Sequence, residues 1–312
     1  MDKIICVVGP TASGKTDLAV QLASELGGEV VSCDSMQIYR RMDIGTAKPS
    51  VEEMREIPHH MIDIVEPNED FSVGRYVEMA DAAIRDIHAR GKIAVIAGGT
   101  GLYVDSLISG RTFAPMPSTG KREELEQRAK KDGIEPILQE LAAVDPESAA
   151  RLHPSDQKRI IRALEVWLET GTSITEHNLQ TQKIPPRYDP VWLGLTFSDR
   201  ADLYSRIDRR VDLMLEQGLV QEVQSLLDEG ISPTSTAMQA IGYKEMALHL
   251  QGEMSLDDAA DLIRQRSRNY AKRQLTWFRK NQTMHWLMRT PSQTPSALFA
   301  LARQHIPFFA QS

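Results

Sequence analysis

The chain has 312 residues, 41% of them hydrophobic, and carries a net charge of −7 with a pI near 5.7. On ordinary domain sizes this length predicts about two domains with ample core. The apolar stretches are no longer than strands, and the N-terminus lacks the features of a signal peptide, so we expect a cytoplasmic protein without membrane spans. The two cysteines, Cys6 and Cys33, exclude a disulfide framework and a cysteine-rich zinc site.

Residues 9–16 read Gly-Pro-Thr-Ala-Ser-Gly-Lys-Thr and match the phosphate-loop pattern G-x-x-x-x-G-K-[ST]. The motif follows the apolar run 4–8 and precedes an amphipathic helix, which is the context in which it folds. We predict that it binds a polyphosphate through Gly9, Thr11, Ala12, Ser13, Gly14, Lys15 and Thr16, with the Thr16 hydroxyl available to Mg²⁺. The alternative is a glycine-rich turn that only packs a strand on a helix.

Strands are predicted at residues 3–8, 29–33 and 92–97, each an apolar run of strand length. Helices with apolar residues spaced three and four apart are predicted between them, and residues 40–70 are expected to be irregular. Buried strands that alternate with helices predict a parallel sheet with right-handed crossovers. Ligands of such sheets bind beyond the carboxyl ends of the strands, where the phosphate loop, Asp34 and the turn 98–101 fall.

The alternation stops at Pro115-Met116-Pro117, and the periodic segments of residues 121–171 are helical. Pro185-Pro186 closes this stretch, a strand-like segment follows at 191–197, and residues 199–285 are expected to be helical. The tail after residue 291 gives no clear pattern. We therefore predict an α/β core of residues 1–114 and 191–312, with a P-loop NTPase-like parallel sheet flanked by helices. Residues 115–190 are predicted to form a helical insertion domain.

A basic run interrupts the acidic sequence near its end. Residues 262–280 contain seven basic side chains and no acidic one: Arg264, Arg266, Arg268, Lys272, Arg273, Arg279 and Lys280. The negative net charge argues against a nucleic-acid partner, but this local cluster is the footprint expected for a polyanion. The alternative is an ordinary solvated helix face.

Two further groups of residues invite a chemical role. Asp34 ends a predicted strand beside the phosphate loop, and its carboxylate could ligate magnesium, act as a general base or cap a helix. His59 and His60 suggest a metal site or a proton shuttle. Adjacent side chains in a strand point apart, so we favour a surface role for the two histidines.

With these features the chain resembles the tRNA dimethylallyltransferases, bacterial type, which prenylate the adenine 3′ of the anticodon. The resemblance rests on seven blocks in order along the chain, at residues 9–16, 34–40, 45–49, 98–103, 156–159, 239–245 and 271–279. The visible departures are conservative, such as Ile38 where relatives often have valine.

The resemblance implies transfer of a dimethylallyl group from dimethylallyl diphosphate to the N6 amine of that adenine, with release of diphosphate. It implies that the phosphate loop binds this diphosphate and that the cofactor Mg²⁺ is shared between Thr16 and the phosphates. It implies Asp34 as the base that accepts the amine proton and Arg210 as a second cation on the diphosphate. Thr100 would hold the amine or the diphosphate, although a helix cap is an alternative role for it.

The implied partner is the anticodon stem-loop of tRNA, whose target base must leave its stack to react. The family pattern places Asp34, Ser35, Met36 and Gln37 near the flipped base. It places further tRNA contacts on the insertion at Gln157, Lys158, Arg159, Ile160 and Ile161. We expect the basic run, at Arg268, Lys272 and Arg273, to follow the phosphate backbone. The enzyme is expected to work as a monomer without an obligate protein partner.

Two other functions are compatible with parts of the sequence. The first hundred residues alone would suit a small-metabolite kinase that binds ATP in the loop, which leaves the basic run without a role. A nucleotide-switched RNA-binding protein without covalent chemistry would use Asp34 only for Mg²⁺.

Overall fold

The computed structural model describes residues 2–111, 113 and 119–307. They form two compact units, one of residues up to 108 and from 187 onward, the other of residues 109–186. The predicted proline-rich boundary at Pro115-Met116-Pro117 lies outside the described residues. The helical insertion was predicted at residues 115–190, whereas the second compact unit spans residues 109–186.

The elements of the described chain are as follows: β1 (Asp2–Val8), α1 (Lys15–Leu26), β2 (Glu29–Cys33), α2 (Val51–Met54), β3 (His59–His60), α3 (Val73–Ala89), β4 (Ala94–Gly98), α4 (Gly101–Ser109), α5 (Lys121–Asp132), α6 (Glu135–Val144), α7 (Pro146–Arg151), α8 (Gln157–Thr170), α9 (Ile174–Thr181), β5 (Tyr188–Phe197), α10 (Arg200–Glu216), α11 (Leu219–Asp228), α12 (Tyr243–Leu250), α13 (Leu256–Phe278), β6 (His285–Arg289) and α14 (Pro295–Arg303). A short 3-10 helix, Ala237–Gln239, precedes α12.

The six strands form one sheet in the order β3-β2-β4-β1-β5-β6, and every pair is parallel. The central strand β1 alternates between two cores: Ile4, Cys6 and Val8 pack with α3 and α4, whereas Ile5 and Val7 pack with α1 and α14. A strand buried on both faces reads as a continuous apolar run. The predicted parallel sheet is confirmed.

The predicted start of the fifth strand at residue 191 is wrong, because β5 begins at Tyr188. Pro190 lies inside β5 opposite Ile4 of β1, whereas pairing with β6 begins only at Leu193. Proline lacks the N–H that a second neighbouring strand would need, so it is tolerated where β5 is paired on one side. The sequence prediction therefore began β5 three residues too late.

The helical unit packs α5, α6 and α8 around a small apolar core that includes Leu125, Ile137, Leu141, Ile160 and Leu164. Helix α8 begins at Gln157 and ends at Thr170, and it is capped by Gly171, whose backbone is left-handed as glycine allows. The prediction that the periodic segments within residues 121–171 are helical is confirmed by α5, α6, α7 and α8. In the described part of the chain, no helix combines the length and apolar character that a bilayer crossing requires.

The adjacent histidines of β3 face different partners, as predicted. His59 Nδ1 lies 2.8 Å from the Ile57 carbonyl oxygen, and His60 Nε2 lies 2.7 Å from Oε2 of Glu29. Glu29 is buried at the start of β2 and is also paired with Arg90 and Lys92. The two histidines thus belong to the packing at the edge of the sheet.

Candidate active site

Three loops meet because three neighbouring strands end at the same level of the sheet. Gly98, the last residue of β4, pairs with Val8 of β1 on one side and with Cys33 of β2 on the other. The residues that follow these strand ends are the phosphate loop, Asp34 and the turn that carries Thr100. The predicted meeting of these residues is confirmed.

The phosphate loop needs glycine at two positions for reasons visible in the structure. Gly9 has φ of 149°, and a Cβ there would lie 2.4 Å from the Leu195 carbonyl oxygen. Gly14 has φ of 87°, and a Cβ there would lie 2.1 Å from Nη1 of Arg289. Glycine alone adopts these angles without strain and leaves that space free. The loop is thereby pressed tightly against β5 and β6.

A cavity of about 340 Å³ opens beside the loop, within the α/β unit. One part of its lining is polar and contains Lys15, Thr16, Asp34 and Arg210. Another part is apolar and is formed by Met36, Ile207, Val211, Met214, Ala240, Ile241 and Ile263. A cavity with a cationic end and an apolar side suits a ligand that has an anionic head and a hydrocarbon tail.

Two cations of the polar end are desolvated. Burial, and secondly the charge of Arg210, lower the pKa of Lys15 to about 8, although the charge of Asp34 acts in the opposite direction. Burial is also the main reason why the pKa of Arg210 is lowered. Lys15 Nζ donates a hydrogen bond to the Pro10 carbonyl oxygen at 2.7 Å. Cations held in a site of reduced polarity interact strongly with an entering anion.

Asp34 caps the turn that follows β2 with one of its two carboxylate oxygens. Oδ1 accepts hydrogen bonds from the backbone N–H of Met36 at 2.8 Å and of Gln37 at 3.4 Å. Within the described part of the chain, Oδ2 accepts no hydrogen bond. The capping role therefore uses one oxygen and leaves the other for chemistry in the cavity.

Thr100 holds the Asp34 turn rather than lining the cavity. Its hydroxyl oxygen accepts a hydrogen bond from the Ser35 backbone N–H at 3.1 Å and donates one to Ser35 Oγ at 3.4 Å. Although α4 begins at the next residue, Gly101, the Thr100 side chain is directed to another loop. The Thr100 hydroxyl therefore does not cap α4, which was the alternative role considered for it.

Gln274 joins two of the loops, a role that its place in the sequence block 271–279 does not reveal. Its Oε1 accepts a hydrogen bond from the Thr11 backbone N–H at 2.9 Å, and its Nε2 donates one to the Gly99 carbonyl oxygen at 2.9 Å. The Thr11 N–H, predicted to cradle phosphate, is therefore already bonded. Gln274 lies four residues after Tyr270 on α13, so the spacing of uncharged residues within the basic run could have revealed this inward face.

Gln37 and Glu222 secure the loop at residues 43–47. Gln37 Nε2 donates hydrogen bonds to the carbonyl oxygens of Thr46 at 3.3 Å and Ala47 at 3.1 Å. Glu222 of α11 accepts three backbone N–H groups, from Asp43, Ile44 and Gly45. Gly45 packs on the Tyr243 ring, which a Cβ would approach to 2.4 Å. These contacts hold the loop at residues 43–47 beside the turn that follows β2.

Comparisons with known proteins agree with this arrangement. The model of the IPP transferase family matches residues 37–281, and that of the isopentenyl transferase family matches residues 2–66. A tRNA dimethylallyltransferase of Acetivibrio thermocellus is 47% identical over 288 residues, which is 92% of each chain. The chain belongs to the tRNA dimethylallyltransferase family.

Solved structures of family members share the fold. The full-length tRNA isopentenylpyrophosphate transferase of Bacillus halodurans is 42% identical, with a TM-score of 0.73 over 100% of this chain and 96% of that one. A eukaryotic dimethylallyltransferase acting on tRNA is 32% identical, with a TM-score of 0.85 over 100% of this chain and 80% of that one. The predicted P-loop-like α/β fold is thus confirmed for this member of the tRNA dimethylallyltransferase family.

The basic run of this family member divides into two sets along α13. Arg264, Arg266 and Arg268 are half-buried and form ion pairs with Asp212, Glu245 and Asp208 respectively. The other four, Lys272, Arg273, Arg279 and Lys280, are exposed. A guanidinium that is already paired offers less to a phosphate, so the structure does not support the predicted backbone contact of Arg268.

Exposed side chains of the second set lie along a surface groove, and one of them also reaches the cavity. Lys272, Arg273, Trp277 and Lys280 line a shallow surface groove, and Arg273 also lines the cavity itself. Arg273 lies over the Tyr270 ring at 5.6 Å, and Lys280 lies over the Trp277 ring at 5.5 Å. Basic and aromatic side chains together are typical of surfaces that bind nucleic acid.

The predicted tRNA contacts of the helical unit fall on two sides of α8. Gln157, Lys158 and Arg159 are exposed in its first turn. Ile160 is fully buried and Ile161 is 6% exposed, both in the apolar core of this unit. The prediction that these two isoleucines contact RNA through their side chains is therefore wrong. Contact of tRNA with the first turn of α8 stays a prediction.

Proposed function

We propose that this chain transfers the dimethylallyl group of dimethylallyl diphosphate to the N6 amine of the adenine 3′ of the anticodon in tRNA. A nitrogen–carbon bond forms, the carbon–oxygen bond to the diphosphate breaks, and the amine loses a proton. The observation that carries the proposal is the single cavity into which the phosphate loop, Asp34 and an apolar wall all open. Membership of the tRNA dimethylallyltransferase family supports it.

The polar end of the cavity is suited to the leaving group. Diphosphate gains negative charge as the carbon–oxygen bond breaks, so cations near it stabilise the transition state more than the ground state. Lys15 and Arg210 line this end together with Thr16, and the loop adds its backbone N–H groups. In this proposal Ser13 takes part only through its backbone, because its hydroxyl donates to the Pro10 carbonyl oxygen.

The apolar wall is suited to the prenyl group. Ile207, Val211 and Met214 lie on the same face of α10 as Arg210, at successive helical turns. Ile207 packs with Ala12 of the phosphate loop, and Val211 packs in a cluster with Ala240 and Ile263 further along. A ligand held by its diphosphate at the loop would therefore extend its hydrocarbon along this wall.

Asp34 is the general base of the proposed reaction. The amine of adenine is a poor nucleophile because its lone pair is delocalised into the ring, so its proton must be accepted as the new bond forms. Oδ2 of Asp34 is the oxygen available for this, since Oδ1 is bonded to the turn. A positioned base contributes about 10²- to 10⁴-fold to the rate. Thr100 contributes by holding Ser35.

The residues present fit Mg²⁺ as the cofactor. Among the described residues no cluster of three or more histidine, cysteine or acidic side chains could hold a metal alone. Mg²⁺ commonly binds through one or two protein groups plus substrate phosphates, and the Thr16 hydroxyl lies in the cavity where such a group is needed. When bound, the ion would neutralise charge on the departing diphosphate.

The RNA partner of the proposed reaction is the tRNA anticodon stem-loop. The flipped adenine would enter the cavity near Asp34, Ser35, Met36 and Gln37, and the exposed residues of α13 would meet the phosphate backbone. In this proposal the protein works in the cytoplasm. We propose that it acts as a monomer.

Removal of the charges at Lys272 and Arg273 is expected to weaken the salt dependence of tRNA binding. Each phosphate contact contributes about 0.7 to 0.9 to the slope of log affinity against log salt. The Lys272→Gln/Arg273→Gln variant should therefore flatten the slope by about 1.4 to 1.8. Binding titrations at several salt concentrations measure this.

Arg264→Gln is the matched control, because it removes one charge from the same helix but from an ion-paired side chain. Its slope should equal that of the wild type, as should the slope of Arg268→Gln. If the double variant keeps the wild-type slope while Arg268→Gln has a flatter slope, the exposed set is not the RNA surface.

The affinity for inorganic diphosphate is expected to fall as the pH rises above about 8. Because the pKa of Lys15 is lowered to about 8, its ammonium is charged below that pH and neutral above it. A bound anion favours the charged form, so binding above this pH must be accompanied by proton uptake. Calorimetry across this range measures the change. Lys15→Arg, which stays charged, corrects for titration of the diphosphate itself; a parallel decline in both proteins would contradict the role of Lys15.

Incubation of the protein, Mg²⁺ and unmodified tRNA with labelled dimethylallyl diphosphate or with γ-labelled ATP tests the proposed function. We expect label in the tRNA from the prenyl donor only. Phosphate transfer from ATP would instead indicate a kinase. Binding of tRNA that responds to nucleotide without any covalent label would indicate a switched RNA-binding protein.

A further inference from the structure

Two arginines hold the outer side of the phosphate loop, away from the cavity. Arg206 of α10 donates from Nε to the Ala12 carbonyl oxygen at 3.1 Å. Arg289, the last residue of β6, donates from Nη1 to the Ser13 carbonyl oxygen at 2.6 Å. Neither arginine lines the cavity, so neither is placed to touch a ligand in it.

These two hydrogen bonds fix the direction of loop N–H groups. In a trans peptide the C=O of one residue and the N–H of the next point in opposite directions. Holding the carbonyls of Ala12 and Ser13 outward therefore turns the N–H groups of Ser13 and Gly14 toward the opposite side of the loop. Successive N–H groups that point the same way form an anion-binding concavity.

Arg289 is a buried cation without a counter-ion in the described part of the chain. The residue is 8% exposed, forms no ion pair with a described residue, and its Nε has no hydrogen-bond partner there. A buried guanidinium that lacks a carboxylate is costly. Burial, and secondly the charge of Arg206, lower the pKa of Arg289, and the charge of Asp17 opposes this shift.

The ring of Phe197 lowers that cost only in part. The guanidinium carbons of Arg289 and Arg206 lie 5.5 Å and 5.6 Å from its centroid, within the range of cation–π attraction. Two cations beside one ring still leave net positive charge behind the loop. An anion bound on the other side of the loop would compensate this charge.

We propose that Arg289, assisted by Arg206, is a positioning residue for diphosphate, which orients the loop N–H groups and supplies positive potential from behind the loop. This inference rests on the proposed function, since it assigns the anion to the diphosphate of the prenyl donor. The cost of burying Arg289 in the free protein is recovered when the anion binds. The residue thus serves ligand binding rather than the stability of the free fold.

Calorimetry with inorganic diphosphate and Mg²⁺ tests the inference on four variants: Arg289→Gln, Arg289→Lys, Arg206→Gln and the control Arg85→Gln. Arg85 is an exposed arginine of α3, 69% exposed, in an ion pair with Asp81. We expect Arg289→Gln to weaken diphosphate binding about 10-fold or more, as for loss of a charged hydrogen bond. Arg289→Lys should fall between this variant and the wild type, Arg206→Gln should be weakened less, and Arg85→Gln unchanged.

Thermal unfolding separates this role from a structural one. In Arg289→Gln the Tm of the free protein should stay close to the wild type, while the rise in Tm on adding diphosphate shrinks and tRNA affinity is retained. A large fall in the Tm of the free protein with an unchanged diphosphate affinity would overturn the inference. If Arg289→Gln does not fold, unchanged diphosphate affinity in Arg206→Gln and Arg289→Lys would overturn it equally. Failure of the wild type to bind diphosphate would instead refute the proposed function.

Discussion

Replacement of Asp34 by asparagine is expected to lower the single-turnover rate of prenyl transfer by about 10²- to 10⁴-fold, which is the usual contribution of a positioned base. The amide cannot accept the proton of the adenine amine. Its Oδ1 can still accept the N–H groups of Met36 and Gln37, so the turn after β2 is kept. Binding of tRNA should therefore stay within a few-fold of the wild type.

Rapid-quench measurement with enzyme in excess over tRNA isolates this chemical step. Asp34→Ala provides the comparison, because it removes the base and the cap together. If the asparagine variant is slow and binds tRNA normally, loss of the base is responsible. A near-normal rate for Asp34→Asn, with only the alanine variant slow, would mean that Asp34 acts as a cap.

Lys15→Ala and Thr16→Ala are expected to raise the KM for dimethylallyl diphosphate far more than they change the affinity for tRNA. Lys15 and Thr16 line the polar end of the cavity, where the leaving group is proposed to bind. Loss of a hydrogen bond to a charged group costs about 1.5 to 3 kcal/mol, or about 10- to 100-fold in affinity. Lys15→Ala should also lower kcat, because the positive charge of Lys15 stabilises the negative charge that develops on the leaving group.

Separate titrations with tRNA and with a non-reactive diphosphate analogue measure the two affinities. Lys272→Ala is the matched control, because it removes a lysine from the exposed set of α13 and should change only tRNA affinity. Equal losses of both affinities in Lys15→Ala would contradict the assignment and would indicate that the loop is structural.

The sequence was informative where local pattern and tertiary structure coincide. Fully buried strands read as apolar runs, so β2 was predicted at its observed bounds, Glu29–Cys33. The phosphate loop and Asp34 follow such strands, and a parallel sheet brings its strand ends to one edge. That reasoning placed Asp34 beside the loop without any knowledge of the fold.

Residues that act through long-range contacts escaped the sequence analysis. The side chains of Gln274 and Arg289 meet the phosphate loop only in the folded chain. Strand β6 is short, and three of its five residues are half-buried or exposed. Its sequence therefore lacked the apolar run that marked β1, β2, β4 and β5. The ion pair of Arg268 with Asp208 joins two helices, so a count of basic residues could not separate it from Lys272.

Identification of the modified nucleoside tests whether this enzyme transfers the dimethylallyl group to tRNA. Unmodified tRNA, Mg²⁺ and labelled dimethylallyl diphosphate would be incubated with the enzyme, and the digested tRNA analysed by mass spectrometry while released diphosphate is counted. We expect one label, on N6 of the adenine 3′ of the anticodon, for each diphosphate released. Label at another nucleotide, or diphosphate release without label in the tRNA, would contradict it.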